Sequence, residues 1–96
     1  MSNEYRTSDM GLAAYLQTAG CALVKTDVNR ESTVDKVKID FVFDHNENIP
    51  KLKAAFFTKQ AKVIAADFHS NLKNLKTLVH SEKEDYKRMM RDKSHV

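Results

Sequence analysis

From about Ala66 to roughly Met90 the chain contains no glycine or proline, and across that span Phe68, Leu72, Leu75, Val79, Tyr86 and Met89 follow alternating steps of four and three. That spacing places them on one side of a single long α-helix. Glu82 takes the one stripe position where an apolar residue is expected. The stripe weakens after Val79, so the first turns are expected in a core. From His80 onward the helix is expected to project into solvent or meet a partner.

The preceding chain must supply the surface that covers this helix. Thr7 or Ser8 suits an N-cap, Asp9 suits a helix start, and Gly20 supplies a left-handed stop, which predicts a first helix from about Ser8 to Ala19. Its stripe is Leu12, Tyr15, Leu16 and Ala19, with Ala13 and Ala14 small enough for close packing. From Cys21 to Val28 the period changes to two, with Ala22, Val24, Thr26 and Val28 on one face and Cys21, Leu23, Lys25 and Asp27 on the other. A second such run sets Val37, Ile39, Phe41 and Phe43 against Lys36, Lys38, Asp40 and Val42. The polar stretch 29–33 between them predicts an antiparallel hairpin with a longish, mobile loop. A lone hairpin is marginal in water, so helices must cover its Val37-Ile39-Phe41-Phe43 face. Pro50 is tolerated in a first helical turn, so a second helix is expected from about Asn48 to 58–60, with Ile49, Leu52 and Phe56 inward. Ala61 to Ile64 reads as an extended linker.

The expected architecture is one small α+β domain: a helix, an antiparallel hairpin and two further helices, the last one long. Residues 1–6 are expected to form a flexible N-terminus, 7–80 the domain, and 81–96 a helical extension with a frayed tail. Ninety-six residues suit a single core. No apolar run approaches the roughly 20 residues of a membrane span, and the polar start lacks a signal-peptide core, so the expectation is a cytoplasmic chain with no membrane partner. Cys21 is the single cysteine, which leaves stability to packing.

The string Thr7-Ser8-Asp9-Met10-Gly11-Leu12-Ala13-Ala14-Tyr15-Leu16 closed by Gly20, then Phe41-Val42-Phe43-Asp44, then Phe68 with Leu72-Lys73-Asn74-Leu75-Lys76, resembles an uncharacterised family of small phage and prokaryotic domains. In that family a T-S-D-x-x-L-A-A-Y-L helix precedes a hairpin ending F-V-F and a Lys-rich final helix. The resemblance spans about Tyr5 to His80. It implies an accessory protein of phage type, placed in the host cytoplasm, and it carries over no activity or catalytic residue. The chain departs from the pattern in a longer loop around Asn29 to Thr33 and in the extension from Ser81 to Val96.

Enzymatic signatures are missing. Asp44-x-Asn46-x-Asn48 imitates the opening of a calcium loop, yet Ile49 and Ala55 stand where that loop needs Gly and Glu. His69 and His80 are about 16 Å apart along a helix, too far to share a metal, and His45 and His95 fall in a turn and the tail. Cys21 begins a strand and lacks a helix N-terminus to activate it. No phosphate-cradling glycine loop and no nucleophile elbow occurs. Asp40 and Asp44 near one strand end read as surface carboxylates, without the burial that tunes a catalytic pair. No enzyme activity, catalytic residue, metal or cofactor is expected.

One constellation remains. The formal net charge is +3, but residues 1–68 balance 9 basic against 9 acidic side chains, and residues 69–96 hold 7 against 4. On the last helix His69, Lys73, Lys76, His80, Lys83, Lys87 and Arg91 fall within a sector of about 80°, spanning about 33 Å. Glu84 borders this ridge and can pair with Lys87 or Arg88, while Glu82, Asp85 and Asp92 project elsewhere, so local neutralisation is incomplete. Such a ridge can bind a DNA or RNA backbone by releasing counterions. The same pattern also describes a helix face that is merely solvated. A third reading is self-association or docking on a protein through Tyr86, Met89 and Met90, apolar side chains beyond the expected core.

Overall fold

The computed structural model describes residues 4–94. Six elements follow in order: β1 (Glu4–Thr7), α1 (Met10–Thr18), β2 (Leu23–Val28), β3 (Ile39–Asp44), α2 (Ile49–Phe57) and α3 (Ala65–Ser94). The strands form one antiparallel sheet in the order β1-β3-β2. The fold is α+β with a long last helix, and it holds one strand more than the sequence suggests.

That extra strand corrects the reading of residues 4–6 as a frayed terminus; residues 1–3 lie outside the described residues. β1 pairs along β3 from Glu4 opposite Asp44 to Thr7 opposite Phe41. Four residues are too few to show a period. Their order comes from β3, which as the central strand needs a partner on each edge for its backbone groups. Tyr5 faces the core with the Lys53 ammonium 5.8 Å from its ring centre, and Arg6 faces the other side.

β3 carries the sheet's contribution to the core. Ile39, Phe41 and Phe43 are buried on one face, as their alternation predicts. Val42 points the other way and is nonetheless fully buried. Its cross-strand neighbours are Arg6 and Lys25, whose long stems cover apolar surface while their charged ends stay in water. Arg6 Nη2 donates to Asp27 Oδ2 at 2.9 Å, and Nη1 lies 3.7 Å from Asp40 Oδ2. The side chain therefore crosses the central strand and ties both edges together.

β2 breaks the simple two-residue period. Its register slips between Leu23, opposite Phe43, and Lys25, opposite Val42, so Val24 is the extra residue of a bulge and stays 48% exposed. The bulge flips the face: Leu23 and Val28, an odd number of residues apart, both pack on the core. The connection to β3 is longer than expected, spanning residues 29–38, because β3 begins only at Ile39. Thr33 and Lys36 exchange backbone hydrogen bonds at 3.0 and 3.1 Å, and Ser32 Oγ donates to Lys38 O and accepts from Lys38 N. These bonds tie the connection internally.

α1 is the hub. Leu12, Ala13, Ala14, Tyr15 and Leu16 are buried in succession, because the sheet, α2 and α3 all pack against this helix. Ala19 is exposed, so the expected stripe is replaced by all-round burial. Each large side chain of this set stabilises the fold by about 1.5–3 kcal/mol. The helix also starts later than expected: Asp9 is the N-cap, its Oδ1 accepting from Leu12 N at 3.0 Å, and Thr7 Oγ1 accepts from Asp9 N. Tyr15 stacks on Phe56 of α2 with ring centres 5.6 Å apart.

Two helix ends use the same device. After α1, Cys21 N donates to Leu16 O and Gly20 N to Gln17 O, with Gly20 at φ 98°. After α2, Gln60 N donates to Ala55 O and Lys59 N to Phe56 O, with Lys59 at φ 62°. Both are Schellman closures that need a left-handed residue, and only the first has the glycine that adopts it without strain. Residues 61–64 belong to no helix or strand and lead into α3.

Candidate nucleic-acid interface

α3 is about 45 Å long at 1.5 Å per residue, close to the molecule's longest extent of 50 Å. It runs unbroken from Ala65 to Ser94 because nothing within it disrupts the hydrogen-bond ladder. Leu75 and Val79 are buried in the core, with Phe68 and Leu72 packed beside them, and Asn71 donates to Thr18 Oγ1 of α1 at 3.0 Å.

Beyond His80 the helix stays against the domain as far as Tyr86. Glu82, the polar interruption of the stripe, accepts a 3.0 Å hydrogen bond from Thr26 Oγ1 on β2. One turn on, Tyr86 Oη donates to the Ser32 carbonyl at the hairpin tip, at 3.3 Å. The expectation that the helix projects from His80 onward is therefore corrected: a polar stripe finds polar partners on the hairpin, and the inward face continues to Tyr86.

Fixing that face fixes the others. His69, Lys73, Lys76, His80, Lys83, Lys87 and Arg91 lie on a flank about 100° around the helix from the packed stripe. His69, Lys73, Lys76, His80 and Arg91 are exposed; Lys83 and Lys87 are half-buried, their stems resting nearer the domain. Asp67, Asp85 and Asp92 fall on the opposite flank, about 150° away, and Glu84 borders the basic flank, about 60° from its centre. Among the described residues, Lys73, Lys76, Lys83 and Lys87 have no carboxylate within ion-pair distance, in contrast to Arg6 and Lys25 on the sheet. The structure thus brings these side chains into one file on a rigid support. It separates the second expected group: Tyr86 is engaged with the hairpin, Met90 is half-buried, and Met89 is 54% exposed.

A family model for a domain of unknown function, DUF5659, matches residues 2–81. The chain belongs to this family. The match agrees with the resemblance carried by the first helix, the F-V-F strand and the Lys-rich last helix. Within the DUF5659 span lie His69, Lys73, Lys76 and His80; Lys83, Lys87 and Arg91 stand beyond it, as do Glu82 and Tyr86. No curated protein and no solved structure matches the chain.

Elsewhere in the DUF5659 domain polar side chains on the sheet are joined to one another. On the outer sheet face a hollow of 460 Å³ is lined by Arg6, Val28, Asn29, Arg30, Glu31 and Asp40. The Asn29 amide spans both Asp40 oxygens at 3.1 Å, so that carboxylate is already satisfied by Asn29 and Arg6. Cys21 is buried, and burial pushes its thiol up from the ordinary value. Among the described residues no three His, Cys, Asp or Glu side chains stand together as a metal site, and no helix is long and apolar enough to cross a membrane. Sequence reasoning missed Arg6, Thr26 and Asn29 as organising polar groups. For Thr26 a signal existed: Glu82 interrupts a buried stripe and so requires a donor across the fold.

Proposed function

We propose that this DUF5659 domain is a non-enzymatic binding module that holds a nucleic-acid backbone along the basic flank of α3. The observation that carries the reading is the file of Lys73, Lys76, Lys83 and Lys87 on one flank, without ion-pair partners and on a helix clamped at Asn71, Glu82 and Tyr86. The helix fixes the spacing of these cations while their unpaired side chains adjust to a line of phosphates, and each phosphate neutralised releases counterions. The setting that fits is a small accessory protein of phage type in the cytoplasm of its host. No catalytic residue, metal or cofactor belongs to this reading.

A second reading rests on Met89. Its exposure at 54%, next to half-buried Met90, suits a contact with a second copy or another protein. Tyr86 would contribute only by leaving Ser32.

The test is charge reversal. K73E, K76E and K83E together should abolish binding to DNA or RNA at low salt, and the exposed pair K73E and K76E alone should weaken it with the thermal melt unchanged. Unaltered binding refutes the proposal. Light scattering of the chain and of M89K addresses the second reading: a monomer at high concentration excludes self-association.

A further inference from the structure

Resting on the backbone-binding reading of α3, we infer that the ligand is a duplex held from outside its grooves, without regard to sequence, and not a single strand. Three features of the flank lead there.

The first is the lack of stacking surfaces. Proteins that hold single strands set aromatic rings among their cations, because each base offers a π-face. The aromatic residues of α3 are Phe68 and Tyr86; Phe68 packs on the core, and the Tyr86 hydroxyl is bound to Ser32. Neither belongs to the basic flank. Phe57, the one aromatic among the exposed large hydrophobic side chains, is on α2.

The second is the way α3 is embedded. A helix packed on one side can enter a major groove about 12 Å wide, and it does so with the face opposite its packed side. α3 is occupied along one side from Phe68 to Tyr86 by α1, the core and the hairpin. Its basic file stands about 100° from that packed side, on the flank of the helix, where lysines meet phosphates ahead of base edges. Phosphate contacts position without reading sequence.

The third is the counterion balance. A lysine that neutralises a duplex phosphate releases about 0.9 counterion, against about 0.7 on a single strand. For Lys73, Lys76, Lys83 and Lys87 the slopes of log affinity against log salt are about −3.6 and about −2.8. A straight, rigid file gains more from the denser charge.

The experiment is fluorescence anisotropy of the full chain with a labelled DNA duplex of about 20 base pairs, roughly 68 Å long and so longer than the ridge. Its separated strand and a duplex of scrambled sequence serve as comparisons, all across a series of NaCl concentrations. The expected result is tighter binding of duplex than of strand, a duplex slope of about −3.6, and scrambled affinity within about twofold. Equal or tighter binding of the strand overturns the duplex assignment and leaves the ridge standing. A preference of about tenfold or more between the two duplexes overturns the groove-free geometry. Absence of binding to every probe removes the ridge reading, and this inference with it.

Discussion

Glu82 and Thr26 are 56 residues apart in the chain and joined by a hydrogen bond of 3.0 Å. The bond turns a defect in the helix stripe into the point where α3 is fastened to β2. Together with the core packing of Leu75 and Val79 it fixes the rotation of α3 about its own axis, which turns the lysine flank away from the core.

Removing that acceptor should loosen the second half of α3. Hydrogen bonds to charged groups contribute about 1.5–3 kcal/mol, and partial exposure brings Glu82→Ala to about 1 kcal/mol. Glu82→Gln keeps an acceptor and should cost less. Urea unfolding of both variants, closed as a cycle with Thr26→Val, measures the coupling; zero coupling means the bond is idle.

Tyr86→Phe deletes only the hydroxyl that reaches Ser32. The expected cost is about 0.5–1 kcal/mol. Amide exchange should speed up around residues 83–92 and stay unchanged at Leu75 and Val79. Uniform exchange along α3 in both proteins would contradict the role given to this contact.

Arg6 crosses β3 to reach Asp27 and Asp40, which face each other in the β2–β3 register. Arg6→Met keeps the stem over Val42 and removes the charge, leaving two carboxylates opposed. Since Arg6 and Asp27 are 48% and 36% exposed, the loss should be no more than about 1 kcal/mol and should shrink in salt. Adding Asp27→Asn should recover most of it. The melting temperatures of the single and double variants decide the matter.

Lys59 holds a left-handed conformation at the end of α2 with no evident compensation. A non-glycine residue there costs about 1–2 kcal/mol, so Lys59→Gly should stabilise the protein by about 1 kcal/mol. Gly20→Ala, at φ 98°, should destabilise it by a similar amount. If both changes prove neutral in thermal melts, the two closures are not as strained as their angles imply.

The Cys21 thiol is pushed above its ordinary value of 9.0 by burial. On raising the pH the unfolded chain therefore ionises first. The contribution of this group is complete below about pH 9 and declines as pH climbs toward the folded value. Cys21→Ala should show a shallower alkaline fall in melting temperature than the parent chain.

Several features could be read directly from residue order. The Ile39-Phe41-Phe43 alternation identified the inward face of β3, Gly20 marked the end of α1, and the uninterrupted run after Ile64 implied one long rod. Those are local properties, set by backbone conformational preference and side-chain period. β1 was invisible because its four residues have no strong preference of their own and are ordered by β3. The bulge at Val24 was invisible for a related reason: register is a property of two strands, and the shift appears only when Leu23 and Val28 must both reach the same core.

The candidate site divides along the same line. That seven side chains from His69 to Arg91 share one helical sector follows from spacing alone, since helix geometry maps sequence distance onto angle. Whether that sector faces solvent or the domain is not contained in the spacing, because a helix can be turned about its axis without changing it. Tertiary contacts made that choice: Leu75 and Val79 in the core, Glu82 on Thr26 and Tyr86 on Ser32 lock the rotation, and these partners come together only when distant segments pack.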